Sequence, residues 1–83
     1  MTKKCRIGVG DTVTVAVPLQ PGLEILKCVV ENRSVASCSH TRTRISVMGI
    51  DTGMTALCVI VGSGGRPVMQ LLYIIQVVEE DEE

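Results

Sequence analysis

Turn-forming residues recur so often along these 83 residues that the chain is confined to short extended segments. Clusters at 8–11 (GVGD), 18–22 (PLQPG), 31–34 (ENRS), 38–43 (CSHTRT), 49–53 (GIDTG) and 62–67 (GSGGRP) separate short apolar runs. The runs cover residues 5–8, 12–17, 23–30, 35–38, 43–48, 54–61 and 68–78, and β-branched side chains crowd them. No long segment repeats its apolar residues at a helical period, so the pattern predicts an all-β fold, a sandwich or barrel of about seven strands. A chain of this length holds one small core and buries only about 60% of its unfolded surface, which leaves no room for a second domain. Residues 1–78 are therefore read as one domain and residues 79–83 (EEDEE) as an acidic, solvated tail.

Alternation within the runs divides them into two kinds. In residues 12–17, Val13, Val15 and Val17 share one face and Thr12, Thr14 and Ala16 the other; in residues 43–48, Thr43, Ile45 and Val47 oppose Arg44, Ser46 and Met48. Both fit a sheet with one wet face. Residues 54–61 differ, because Thr55, Leu57, Val59 and Val61 are opposed by an equally apolar set of Met54, Ala56, Cys58 and Ile60. Residues 68–78 set Met69, Leu71, Tyr73, Ile75 and Val77 against Val68, Leu72, Ile74 and Val78, broken only by Gln70 and Gln76. Residues 23–30 set Leu26, Cys28 and Val30 against Ile25, Lys27 and Val29. If these three runs share a sheet, Ile25, Val29, Met54, Cys58, Ile60, Leu72 and Ile74 form an outward apolar surface, larger than a monomer commonly exposes. That surface is the expected interface with other protein subunits, either copies of this chain or a different protein.

The segments CVVENRSVASC (28–38) and ISVMGIDTGMTALCVIV (45–61) resemble the bacterial Ig-like group 2 domains, with Val35 and Ala36 at the family's Val-Ala pair and Gly53, Thr55 and Leu57 in its later turn and strand. VGDTVTV (9–15) and YIIQV (73–77) are similar to the family's opening and closing strands, and Cys28 stands where the family carries a Trp. The spacing of Gly49, Gly53, Thr55 and Leu57 is also similar to the N-terminal domain of pilus and secretin proteins. The group 2 resemblance implies an Ig-like sandwich in which residues 23–30, 54–61 and 68–78 share one sheet. It also implies service as an adhesive or spacer module on bacterial surface proteins and phage particles. With no stretch of signal-peptide length in its first ten residues, the expected role is a virion accessory protein, decorating a phage capsid or tail and assembled in the host cytoplasm. The alternative is an adhesive or spacer domain at the bacterial cell surface.

Composition argues against other classes. A net charge of −1 with scattered basic residues gives no footprint for nucleic acid, and one aromatic residue, Tyr73, gives no platform for stacking bases. No run reaches the ~18 apolar residues that read as a membrane-spanning helix. Nothing signals secretion, so Cys5, Cys28, Cys38 and Cys58 are expected as thiols, and only an atypical disulfide such as Cys28 with Cys58 is available to them. A small zinc or redox protein using Cys28, Cys38, His40 and Cys58 is a third reading, opposed by the absence of a closely spaced Cys pair. His40 lies in a polar loop, Asp11 and Asp51 lie in turns, and GSGGR (62–66) lacks the Lys and Ser/Thr of a phosphate loop and reads as a hairpin. No cofactor or metal is expected, and the chain is expected to bind and not to catalyse.

Overall fold

The computed structural model describes residues 3–79, so all of the acidic tail after Glu79 lies outside the described residues. Seven strands run in chain order: β1 (Lys3–Gly8), β2 (Thr12–Val15), β3 (Glu24–Val30), β4 (Ala36–His40), β5 (Ile45–Gly49), β6 (Gly53–Ser63) and β7 (Arg66–Val78). They form a β-sandwich of a four-stranded sheet, in the order β1-β7-β6-β3, and a three-stranded sheet, in the order β2-β5-β4. Each strand corresponds to one of the seven apolar runs, and β3, β6 and β7 do share a sheet.

The alternation anticipated for β2 and β5 is present, with Val15, Ile45 and Val47 turned inward and Thr12, Thr14 and Met48 exposed. They meet Leu57, Val59 and Val61 of β6 and Tyr73, Ile75 and Val77 of β7 in one core. Ile45, Leu57 and Ile75 are completely buried, and each contributes about 1.5–3 kcal/mol relative to an exposed side chain. Tyr73 fills the core's one aromatic position and its hydroxyl donates to the Ala16 carbonyl at 3.2 Å, so the ring is buried without an unpaired polar end.

Two connections are hairpins within a sheet, and the others carry the chain from one sheet to the other. The tighter hairpin joins β6 and β7 through Gly64 and Gly65 at φ of 58° and 81°, which fits a two-residue turn needing left-handed backbone at both positions. β1 runs parallel to β7, pairing Lys3 with Tyr73 through Gly8 with Val78, and the chain then switches sheets at residues 9–11 to begin β2. The β3–β4 arch is held from within: the Asn32 N–H donates to Thr55 Oγ1 at 2.8 Å, and the Ser34 N–H donates to Asn32 Oδ1 at 3.0 Å. Thr55 is the buried polar residue of the described chain, and this bond satisfies it.

Strict alternation fails in β3. The register against β6 shifts between Ile25 and Lys27, and the bulge restarts the alternation one residue out of step. Ile25, expected on the outward surface, is turned into the core at 3% exposure and pairs with the equally buried Val61. A second bulge lies beside it in the β6–β7 pairing, where Val61 pairs with Met69 and Gly62 with Pro67, leaving Val68 of β7 as the extra residue. Leu26 closes over Gly62, where a Cβ would stand 2.6 Å from Leu26 Cδ1 and 2.0 Å from the Arg66 carbonyl oxygen. The two bulges therefore depend on the missing side chain at position 62.

Candidate functional site: the outer face of the four-stranded sheet

The outer face is built from rows of cross-strand neighbours, and register identifies each row. One row runs Val29, Cys58, Leu72 across β3, β6 and β7. On one side lies Lys27, Ile60, Gln70; on the other, Ala56 and Ile74 continue onto Lys4 of β1. A further row sets Met54 beside Gln76 and Arg6. The pleat sends these residues outward because their neighbours Leu57, Val59, Tyr73 and Ile75 are committed to the core.

The centre of this face is apolar and its margin is basic. Val29 is 40% exposed, Leu72 46% and Met54 55%, while Cys58, Ile60 and Ile74 between them are half-buried by their neighbours. Lys4, Arg6 and Lys27 are exposed around them. Cys58 is partly roofed by Gln70, whose Nε2 donates to its sulfur at 2.9 Å. Six of the seven residues expected at the interface thus lie on one surface; Ile25 does not, for the reason given by the β3 bulge. Val68, 59% exposed near the β6–β7 turn, adds apolar surface beyond the seven residues expected from the sequence.

β7 extends this face beyond its neighbour. β1 pairs only with Tyr73 through Val78, so the edge of β7 from Arg66 to Leu72 has no strand beside it among the described residues. An edge of this kind leaves backbone donors and acceptors available to another chain. Pro67, which lacks an N–H, removes one of those donors near the turn.

The other candidate residues are dispersed. Cys28 faces inward opposite Val59 while Cys58 faces outward opposite Val29, so the pleat puts them on opposite sides of the sheet and rules out their pairing. Cys28 instead lines a groove with Cys38 of β4, and all four cysteines are thiols. His40 is exposed at the end of β4, with its Nδ1 2.9 Å from the Thr41 carbonyl oxygen. Among the described residues no three His, Cys, Asp or Glu side chains converge as a metal site would require. Asp51 acts in its turn as expected, accepting from the Thr52 N–H at 2.8 Å, whereas Asp11 contributes through its backbone, its carbonyl accepting from the Gly49 N–H at 3.0 Å.

Three loops meet at one end of the sandwich. The Ile50 N–H donates to the Val35 carbonyl at 2.8 Å, tying residues 50–52 to the β3–β4 arch, and the Gly10 N–H donates to the Gly49 carbonyl at 2.9 Å. Ile50 and Val9 are exposed on that end, at 42% and 37%.

No family model matches the chain, and comparison with curated proteins finds no significant match. Among solved structures, the chain is similar to the cysteine protease inhibitor EhICP2 from Entamoeba histolytica, with a TM-score of 0.53 and 13% sequence identity over 93% of this chain and 95% of that one. At that identity the likeness shows the fold alone, over chains of similar length.

Proposed function

We propose that this chain is a non-catalytic protein-docking module that buries the outer face of β3, β6 and β7 against another protein. The observation that supports the reading is the row Val29, Cys58, Leu72 with Ile60 and Ile74 on either side, an apolar centre framed by Lys4, Arg6 and Lys27. Each large side chain fully covered there contributes about 1.5–3 kcal/mol before the costs of association are subtracted. The basic margin favours a partner whose rim is acidic, because rim charges steer encounter and set orientation. The group 2 resemblance suggests the setting: an accessory subunit on a phage capsid or tail, or in its alternative an adhesive module at a bacterial surface.

Light scattering of the purified chain, alone and mixed with phage particles, tests this reading. A complex or oligomer that Leu72→Lys abolishes while the fold is retained supports it, since position 72 faces outward. A monomer that binds neither copies of itself nor particles, and that behaves identically after Leu72→Lys, refutes it.

A second reading follows from the likeness to a cysteine protease inhibitor, combined with the apolar loop end at Val9 and Ile50. Here the joined loops at 31–35 and 50–52, and not the sheet face, would contact a protease. Titrating a cysteine protease with the chain separates the two: inhibition lost in Ile50→Glu but kept in Leu72→Lys supports the loop end.

A further inference from the structure

Cys28 and Cys38 belong to different sheets, yet the backbone brings them together. β3 and β4 are the edge strands on the same side of the sandwich, and the turn at residues 31–35 leads directly from one to the other. Beyond Cys28 the two chains are joined again, because the Ile25 N–H donates to the Arg42 carbonyl at 2.7 Å and Arg42 Nε pairs with Glu24 at 2.9 Å. Between that bond and the turn, Cys28 and Cys38 line one groove where the two edge strands face each other. Register confirms the direction of both side chains: Cys28 pairs with buried Val59 and Cys38 with buried Val47, so both thiols turn between the sheets. Both are half-buried and line the same open groove with Lys27, Arg33 and Ser37.

We propose that Cys28 and Cys38 are a redox-active dithiol that a small-molecule disulfide of the glutathione class converts into an intramolecular bridge, clamping β3 to β4 across the open side of the sandwich. The exchange balances without any other reactant. One protein thiolate attacks the small disulfide, forming a mixed disulfide and expelling one small thiolate. The second protein thiol loses its proton to water and attacks the protein sulfur of that mixed disulfide, expelling the other small thiolate. The protein gives up two electrons and two protons, and the small disulfide becomes two thiols.

The geometry separates this pair from the remaining cysteines. Cys58 is on the far face of the sheet and is bonded by Gln70, and Cys5 faces inward opposite Ile75 on β1, the other edge of the four-stranded sheet. Burial, followed by the neighbouring Cys38 thiol, pushes the Cys28 thiol up from its ordinary value of 9.0 to about 12.

Incubation of the folded chain with oxidised glutathione, followed by non-reducing peptide mapping, tests the proposal. The expected product has lost the mass of two hydrogen atoms, links residues 28 and 38, and leaves Cys5 and Cys58 open to alkylation. The Cys5→Ser/Cys58→Ser double variant should form the same bridge, and Cys28→Ser should stop at a mixed disulfide on Cys38. The bridged chain should melt higher by about 10 °C, because the crosslink restricts the unfolded ensemble. A bridge involving Cys5 or Cys58, or a stable glutathione adduct on wild-type Cys28 or Cys38 in place of the bridge, overturns the proposal. A 28–38 bridge that lowered the melting temperature would overturn the clamp.

Discussion

Replacing Thr55 by Val keeps the shape of the side chain and removes one atom, the Oγ1 that accepts the Asn32 N–H at 2.8 Å. Thr55 is 7% exposed, so the substituted methyl enters a nearly closed site and leaves the Asn32 donor without its partner. Asn32 itself is exposed, so the loss is that of an ordinary hydrogen bond, about 0.5–1.5 kcal/mol, and the added apolar group offsets part of it. The net expectation is a loss of about 0.5–1 kcal/mol. In urea, with a slope of about 1 kcal/mol/M for a chain of this size, the midpoint should fall by about 0.5–1 M with the slope unchanged. Thr55→Ser is the control: it keeps the acceptor and removes one methyl, so its loss should be about 1 kcal/mol. Hydrogen exchange at the Asn32 amide should accelerate in the Val variant and not in the Ser variant, because only the former opens the β3–β4 arch. If Thr55→Val is as stable as the wild type while Thr55→Ser is weaker, the bond contributes nothing and the role assigned to Thr55 is wrong.

Gly62→Ala should destabilise by about 2 kcal/mol or more, since its Cβ would meet the Arg66 carbonyl oxygen at 2.0 Å and must displace backbone. Gly64→Ala, with nothing within 4 Å but a φ of +58°, should cost only about 1 kcal/mol, and equal losses in thermal melts would refute the packing argument. With the thiols reduced, stability should fall as pH rises above 9, because Cys28 rises from 9.0 to about 12 on folding and only the unfolded chain ionises first. The contribution is complete below pH 9 and is lost as pH climbs toward 12; Tyr73, raised above its ordinary 10.0 by burial and then by Cys5, adds the same sign. Melting curves between pH 8 and 10.5 should be flatter for Cys28→Ser than for the wild type, and parallel curves would remove Cys28 from the account.

Much of the fold and half of the site's logic were legible in local pattern. Turn residues mark off seven strands, and the valines and isoleucines of β2 and β5 declare their inner face by alternation. Residues 54–61 and 68–78 declare instead that no single face suffices for them. Val29, Cys58 and Leu72 group together as soon as their three strands share a sheet. Gly64-Gly65 announces its own turn, because few other pairs tolerate left-handed backbone at both positions.

What the sequence by itself determined is therefore the number of strands, the hairpin after β6 and an excess of apolar surface over what one core can enclose. Only the tertiary structure decided which residues carry that excess. Paired bulges at Ile25/Lys27 and Val61/Gly62 reset a two-residue period, taking Ile25 into the core, and nothing within residues 23–30 signals that shift. The partner of Cys28 is likewise set by strand order, which places β3 and β4 at the same edge and puts Cys58 beyond a sheet. Alternation depends on each residue's own neighbours in the chain, whereas register and sheet order depend on contacts between segments far apart in it, and those form only when the whole core closes.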